Sequence, residues 1–324
     1  MKIAITGING HVGNNLCRKL IDNGHRVRGL IYHDTESIND LDIETVKGDI
    51  LSPELLESLF DGIDVAIHLA AIISIEKNES ELFRVNVDGT RNVIEACKKA
   101  GVSKLIHFST IHAIEHLPLD EVLDENRPII KHSKIKYEQS KADGDRLVHE
   151  LCGNDLDFII FNPTAIIGPN DFKPSLMGQV LIRLARNQMP MLVPGGYDWV
   201  DVRDISDAVA KAIELDISGE RYLLSGGWKS LKELSLIVGK VTGNKTPTMI
   251  APMAMAKVGL PFIQTWARIR KEHPLYTRDS LDVIQMSSKN ISHAKAERDL
   301  GFKARPLEVT VRDTIGWFEG QGML

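Results

Sequence analysis

Cysteine is scarce in this 324-residue chain: Cys17, Cys97 and Cys152 are an odd number, widely spaced, and each falls within a helical pattern. That count and spacing argue against a disulfide frame or a zinc site and point to a reducing, cytoplasmic setting. An excess of positive charge is missing too. The formal net charge is −5, so no nucleic-acid footprint shows at this level. No apolar run approaches the roughly 18 residues of a membrane span. Met1 leads straight into Ile3-Ala4-Ile5, an apolar stretch too short for the core of a secretory leader. Internal repeats and low-complexity tracts do not occur. What is present, 43% hydrophobic and 26% charged residues, suits a folded globular protein. The length allows one large α/β domain with an appended lobe, or two ordinary domains.

Hydrophobic periodicity predicts alternating strands and helices. Residues 2–6 read as a short apolar strand, and 12–23 carry apolar residues at helical spacing until Gly24. Residues 25–32 and 44–47 predict two more strands, and Ser52-Pro53 the cap and first turn of a helix over about 53–60. "DVAIHLAA" (64–71) predicts a buried strand, and 79–100 a long helix ending at Gly101. Strands over 104–109 and 157–161 flank a helix over 136–152. The rhythm implies right-handed crossovers and a parallel, doubly wound Rossmann-type sheet in an α/β fold. After Asn162, prolines and glycines punctuate a loop-rich stretch. A helix over 204–215 and a strand over 220–224 follow, and from about 226 the chain is mainly helical.

"ITGINGHVG" (5–13) sets Gly7, Gly10 and Gly13 between the first strand and the first helix. A dinucleotide pyrophosphate needs this arrangement: a tight turn, close backbone approach, and the free N–H groups of a helix start. The Thr-Gly-x-x-Gly-x-x-Gly spacing resembles that of the extended short-chain dehydrogenase/reductases. "GDI" (48–50) resembles their adenine-side segment, "HLAA" (68–71) the segment under the cofactor, and "VNVDGTRNV" (85–93) the central-helix motif. "NPTAIIGP" (162–169) resembles the loop against the nicotinamide, and "WVDVRDISDA" (199–208) the returning strand and helix. A weaker match, "AKAERDLGFKARP", continues near 294–306. The resemblance implies an NAD(P)-binding domain of residues 1–165 plus about 198–225, and a substrate lobe of about 166–197 plus 226–324. It implies cofactor contacts from Gly7, Asn9, Gly10, His11, Val12, Gly13, Asp49, Ile50, Leu69, Ala70, Ala71 and Asn86. Ser109, Tyr137, Lys141, Asn162, Pro163 and Thr164 complete that set.

The same resemblance implies a catalytic group, carried over position by position. Tyr137 and Lys141 in "YEQSK" match the family's Tyr-x-x-x-Lys, and "HFST" (107–110) its strand-end hydroxyl segment, with Thr110 in the catalytic place. Residues i and i+4 share a helix face, so Lys141 can stand beside Tyr137, and a neighbouring ammonium favours phenolate. For the cofactor, the strand-end position where an acidic residue usually accepts from ribose is Ile31, which cannot accept. Tyr32 and His33 follow, where NADP-using relatives carry arginine. NADP is therefore expected over NAD, with Asp34 as the NAD-favouring counter-reading.

The family contains epimerases, dehydratases and reductases resembling dihydroflavonol reductase. Dehydratases place Asp-Glu after the catalytic hydroxyl residue, where this chain has Ile111 and His112. The expected pyrophosphate-binding arginine is replaced by Tyr197. The segments Ile72-Ile73-Ser74-Ile75, Ile111 and Ile114 are apolar. The expectation is a reductase of a small, fairly apolar carbonyl substrate contacted by Ile73, Ile111, His112 and Tyr197. A nucleotide-sugar epimerase with tightly bound NAD is the alternative, and a non-catalytic NADP-binding sensor the remote one. His107, His112 and His116 read as structural or solvated residues, with no metal site expected. The stretch 253–271 reads as packing within the small lobe, against the alternatives of a pocket cap or a membrane-resting segment. A monomer or homodimer is expected.

Overall fold

Three consecutive apolar residues, Ile3, Ala4 and Ile5, are each fully buried in β1 (Lys2–Thr6). That is the mark of a strand covered on both faces. Side chains alternate across a strand, and Ile3 and Ile5 join one core while Ala4 joins the other. The pattern repeats in β4 (Val65–His68), β5 (Lys104–Phe108) and β6 (Asp157–Pro163). In the computed structural model, which describes residues 1–33, 35–73, 78–153, 155–258, 260, 281, 284 and 287–324, these strands lie within a seven-stranded parallel sheet. Its order is β3-β2-β1-β4-β5-β6-β9, with β2 at Arg26–Ile31, β3 at Glu44–Lys47 and β9 at Glu220–Leu224. The chain order reverses between β1 and β4, and α/β sheets open a ligand crevice at such a point.

One face is covered by α1 (His11–Asp22) and α7 (Val202–Glu214). The other is covered by α2 (Pro53–Phe60), α4 (Gly89–Ala100) and α5 (Lys136–Cys152). Cys17, Cys97 and Cys152 sit in α1, α4 and α5 as buried free thiols. A smaller body has its own core, built from β7 (Ala165–Ile167), α6 (Leu176–Ala185), β8 (Gly196–Asp201) and α8 (Leu231–Thr242), with α10 (Leu307–Gly320) packed on it. Here β8 lies between β7 and β10 (Trp228–Ser230) in a separate three-stranded sheet, so Trp199–Asp201 do not run in the large one. Ahead of α10, α9 (Ala294–Leu300) returns to the first core through Ala296 and Leu300.

Three local readings change. The helix read over 79–100 is α3 (Glu79–Phe83), one π-helical turn at Arg84–Asp88, and then α4. Ladder pairing of the strand read over 64–71 stops at His68, where Leu69–Ala71 pass beside Gly7. Ser52 caps α2 through its carbonyl, which accepts from the Leu56 N–H at 3.2 Å, and not through its side chain. Ser74, Ile75, Asp34 and most of the 253–271 stretch lie outside the described residues. Among those described, no helix is long and apolar enough to cross a membrane.

Candidate active site

The glycine loop is shaped by backbone approach. Gly7 has φ +74°, and a Cβ there would stand 2.7 Å from the Ala70 nitrogen. A Cβ on Gly13 would stand 2.3 Å from the Gly7 carbonyl oxygen, so α1 packs on the loop at a distance only glycine allows. Gly10 is the N-cap of α1 with no side-chain cap. The first-turn N–H groups of His11, Val12 and Gly13 are those a helix leaves without an intrahelical partner. Asn9 Nδ2 is buried without a hydrogen-bond partner. A free helix start and an orphaned donor beside the sheet crevice fit the pyrophosphate of a dinucleotide.

Neighbouring residues frame this loop. His11 Nε2 lies 3.1 Å from the Pro169 carbonyl, and Asn14 and Asn15 donate to the carbonyls of Asn170 and Pro169 at 3.0 and 3.1 Å. These contacts moor the 168–170 loop to α1. Beyond β2, Ile31 is buried, whereas Tyr32 is exposed with its ring centroid 3.8 Å from that of His33. Arg28 points away, bonded to Glu44 and to the carbonyls of Leu59 and Asp61 at the end of α2. Asp49 accepts from the Leu51 N–H at 3.0 Å, and Ile50 is buried beneath Gly89.

The hydroxyl, phenol and amine come together at the end of β5. Ser109 continues the strand through its N–H to the Phe161 carbonyl, 2.8 Å. Asn162 Nδ2 holds the Thr110 carbonyl at 2.8 Å. The Thr110 side chain contacts the Tyr137 phenol in the first turn of α5. One turn on, Lys141 Nζ donates to the Phe108 carbonyl at 2.6 Å. Burial pushes Tyr137 up to about 12, against the hydrogen bond from Thr110. This runs opposite to the lowering expected from a neighbouring ammonium, because desolvation of the phenolate dominates. Burial likewise pushes Lys141 down to about 8, against the nearby Asp145 carboxylate. At neutral pH the pair is a phenol beside an ammonium.

Asn86 clasps the backbone of Ile72, accepting from its N–H at 2.8 Å and donating to its carbonyl at 3.0 Å. Its Nδ2 also reaches Ser140 Oγ at 3.0 Å, and that hydroxyl donates to the Tyr137 carbonyl at 2.8 Å. Ser140 is a site residue that sequence reasoning missed, although it stands inside "YEQSK". Pro163 ends β6, and the Thr164 hydroxyl donates to Asp198 at 2.8 Å, coupling the large sheet to the small one. His112 Nδ1 stands 3.6 Å from a Glu138 oxygen, and burial pushes this imidazole down to about 3. Ile73 is 65% exposed, whereas Ile111 is buried among Ile114, Leu123 and Leu223. Tyr197 packs edge-on against Trp199 in the small sheet. Among the described residues no group of three His, Cys, Asp or Glu side chains is placed to hold a metal ion.

Comparison with known proteins agrees with this architecture. The chain is 29% identical to the sterol demethylase protein B of Methylococcus capsulatus, with all of both chains covered. It is also 29% identical to a Synechocystis protein named for dihydroflavonol 4-reductase, over 98% of this chain and 94% of that one. The crystal structure of gox2253 superposes with a TM-score of 0.86 at 30% identity, covering 99% of each chain. A nucleoside-diphosphate-sugar epimerase from Pseudomonas aeruginosa superposes with a TM-score of 0.80 at 22% identity, over 100% of this chain and 99% of that one, which is a likeness of fold. The model of the NAD dependent epimerase/dehydratase family matches residues 3–224, and the chain belongs to that family.

Proposed function

We propose that the chain is an NADP-dependent oxidoreductase of the extended short-chain type that reduces a ketone or aldehyde on a small, largely apolar skeleton. The observation that carries this reading is the meeting of Thr110, Tyr137 and Lys141 at the end of β5, beside the crevice where strand order reverses. A bound nicotinamide supplies the hydride. Thr110 holds the carbonyl oxygen, and Tyr137 gives that oxygen its proton as negative charge develops. Burial favours this role, because a raised value keeps the phenol protonated until it is needed. The Lys141 ammonium stabilises the phenolate left behind.

The substrate reading rests on the surroundings of the reacting group. The position after Thr110 is the buried apolar Ile111, not an acid, and Tyr197 on β8 stands at the sequence position where nucleotide-sugar relatives carry a pyrophosphate-binding arginine. Ile73 and His112 remain as substrate contacts, with Ile111 backing the turn. The NADP preference rests on Ile31, which cannot accept from a ribose hydroxyl, followed by the exposed Tyr32 and His33.

Absorbance at the NADPH band, with a panel of aliphatic and aromatic ketones and aldehydes, tests the proposal. Turnover is expected with NADPH in preference to NADH. Interconversion of UDP-sugars without net NADPH consumption overturns it in favour of an epimerase. Absence of turnover on every carbonyl, with tight NADPH-dependent protein binding, overturns it in favour of a sensor.

A further inference from the structure

Asp145 follows Tyr137 and Lys141 at four-residue spacing along α5 and is fully buried. His107 Nε2, from β5, stands 3.4 Å from one carboxylate oxygen, and Arg221 Nη2, from β9, stands 3.7 Å from the other. Neither approach completes a hydrogen bond. Both Asp145 oxygens, both His107 ring nitrogens, Arg221 Nε and Nη2, and Ser109 Oγ are buried without a hydrogen-bond partner. A buried carboxylate that serves only the fold is saturated with donors. Asp198 is an example, accepting from Thr164, Ser225, Gly226 and Gly227 at 2.8–3.1 Å. Asp145 lacks such a set of donors and is held between the His107 imidazole and the Arg221 guanidinium, one helical turn beyond the buried Lys141.

We propose that Asp145 is a positioning residue of the active helix: held between His107 and Arg221, its carboxylate supplies the counter-charge that keeps Lys141 an ammonium in a water-excluded site. The inference deepens the reductase reading and rests on it for its catalytic consequence. Lys141 is itself buried, with the Phe108 carbonyl as its hydrogen-bond acceptor. That neutral oxygen fixes the amine in place but does not balance its charge. The titratable groups acting on it are His68 on β4, His107 on β5 and Asp145 on α5 itself, with Arg221 on β9 and His149 on α5 acting in turn on Asp145 or one another. Burial, with Lys141 or Arg221 nearby, holds the three imidazoles below their ordinary value, hence neutral at pH 7. Burial acts to raise Asp145, but His107 and Arg221 outweigh it and hold the carboxyl below its usual range. Asp145 is the group that opposes the fall of Lys141 toward about 8.

The test needs no substrate. In the full chain carrying lysine labelled with 13C at Cε, the Lys141 resonance, assigned through Lys141→Arg, is followed against pH. In Asp145→Asn its midpoint should fall by about one pH unit or more, the size of shift a lost opposite charge produces. In Arg221→Met, which leaves Asp145 to the lysine alone, the midpoint should not fall. The double variant Asp145→Asn/Arg221→Met leaves no guanidinium stranded beside an amide and should fall with the single one, so it decides the matter if Asp145→Asn does not fold. Midpoints within about 0.3 units of the parent in the asparagine variants overturn the proposal. That result would leave carbonyl reduction untouched, and a failure of carbonyl reduction would leave the titration standing.

Discussion

At the scale of single residues, burial pushes Tyr137 and Lys141 in opposite directions because it disfavours charge on either group. Tyr137 goes up to about 12 and Lys141 down to about 8, so the ammonium is the first of the two to lose its proton as pH rises. The proposed reduction uses the phenol together with the ammonium. With NADPH, kcat/KM should therefore hold level below pH 7 and fall on the alkaline side through about pH 8. A profile level to pH 10 would remove Lys141 from the reaction. Tyr137→Phe keeps the ring and loses only the proton, so turnover should drop by about 10²–10⁴-fold, with NADPH affinity measured by fluorescence close to the parent. Thr110, Tyr137 and Lys141 could be singled out in the sequence because the family resemblance assigns them position by position, and the fold brings them to the end of β5. Ser140 and Asp145 could not be. Their significance lies in Asn86 and His107, which the fold brings to α5 from other segments, and no local pattern carries that contact.

At the scale of elements, backbone approach shapes the glycine loop, and the π-helical turn carries Asn86. Alanine at Gly13 would drive its Cβ to 2.3 Å from the Gly7 carbonyl and 2.7 Å from the Ile8 Cα, both backbone atoms that α1 cannot avoid. Gly13→Ala should weaken NADPH binding at least tenfold and destabilise the chain by about 1–3 kcal/mol, the cost of overpacking. Calorimetry and urea unfolding measure the two effects, and parent-like values in both would remove the packing argument. The loop was readable because glycine spacing encodes a strand–turn–helix. The π turn was not, because one wide turn hardly shifts the apolar period on either side of it. Asn86, at its centre, satisfies the N–H and carbonyl of Ile72. Asn86→Ala should cost about 1–3 kcal/mol by stranding those groups, and should lower kcat more than it raises KM because Ser140 also loses its anchor. Unchanged urea unfolding would show that the clasp contributes nothing.

At the scale of the whole molecule, the large sheet was legible because β1, β4, β5 and β6 are apolar runs buried on both faces, with helices between them. The three-stranded sheet escaped, since β7 and β10 have three residues each and sequence pattern is weak at that length. The same double burial places histidine inside the protein, and that sets its response to acid. His68 is fixed between Thr6 Oγ1 at 2.7 Å and Thr90 Oγ1 at 3.0 Å. The Thr90 hydroxyl spends its proton on the Asn86 carbonyl at 2.8 Å, so it accepts from His68 Nε2–H, and burial keeps the imidazole neutral. Burial holds His68 well below its ordinary value and His107 below its own. Below the unfolded value of about 6.5, the unfolded chain binds protons that the folded chain refuses, so stability falls with pH by up to about 1.4 kcal/mol per unit for each histidine. Asp145, held below its usual range, keeps its contribution until the pH reaches its lower folded value, and so does not offset this loss near pH 5. Urea unfolding at pH 5 should give a stability at least about 2 kcal/mol below that at pH 7. In His68→Gln, which keeps a neutral polar group in place, the difference between the two pH values should shrink by about a third if His68, His107 and His112 refuse protons equally. A parent chain equally stable at the two pH values would mean that His68 and His107 take up protons in the folded state.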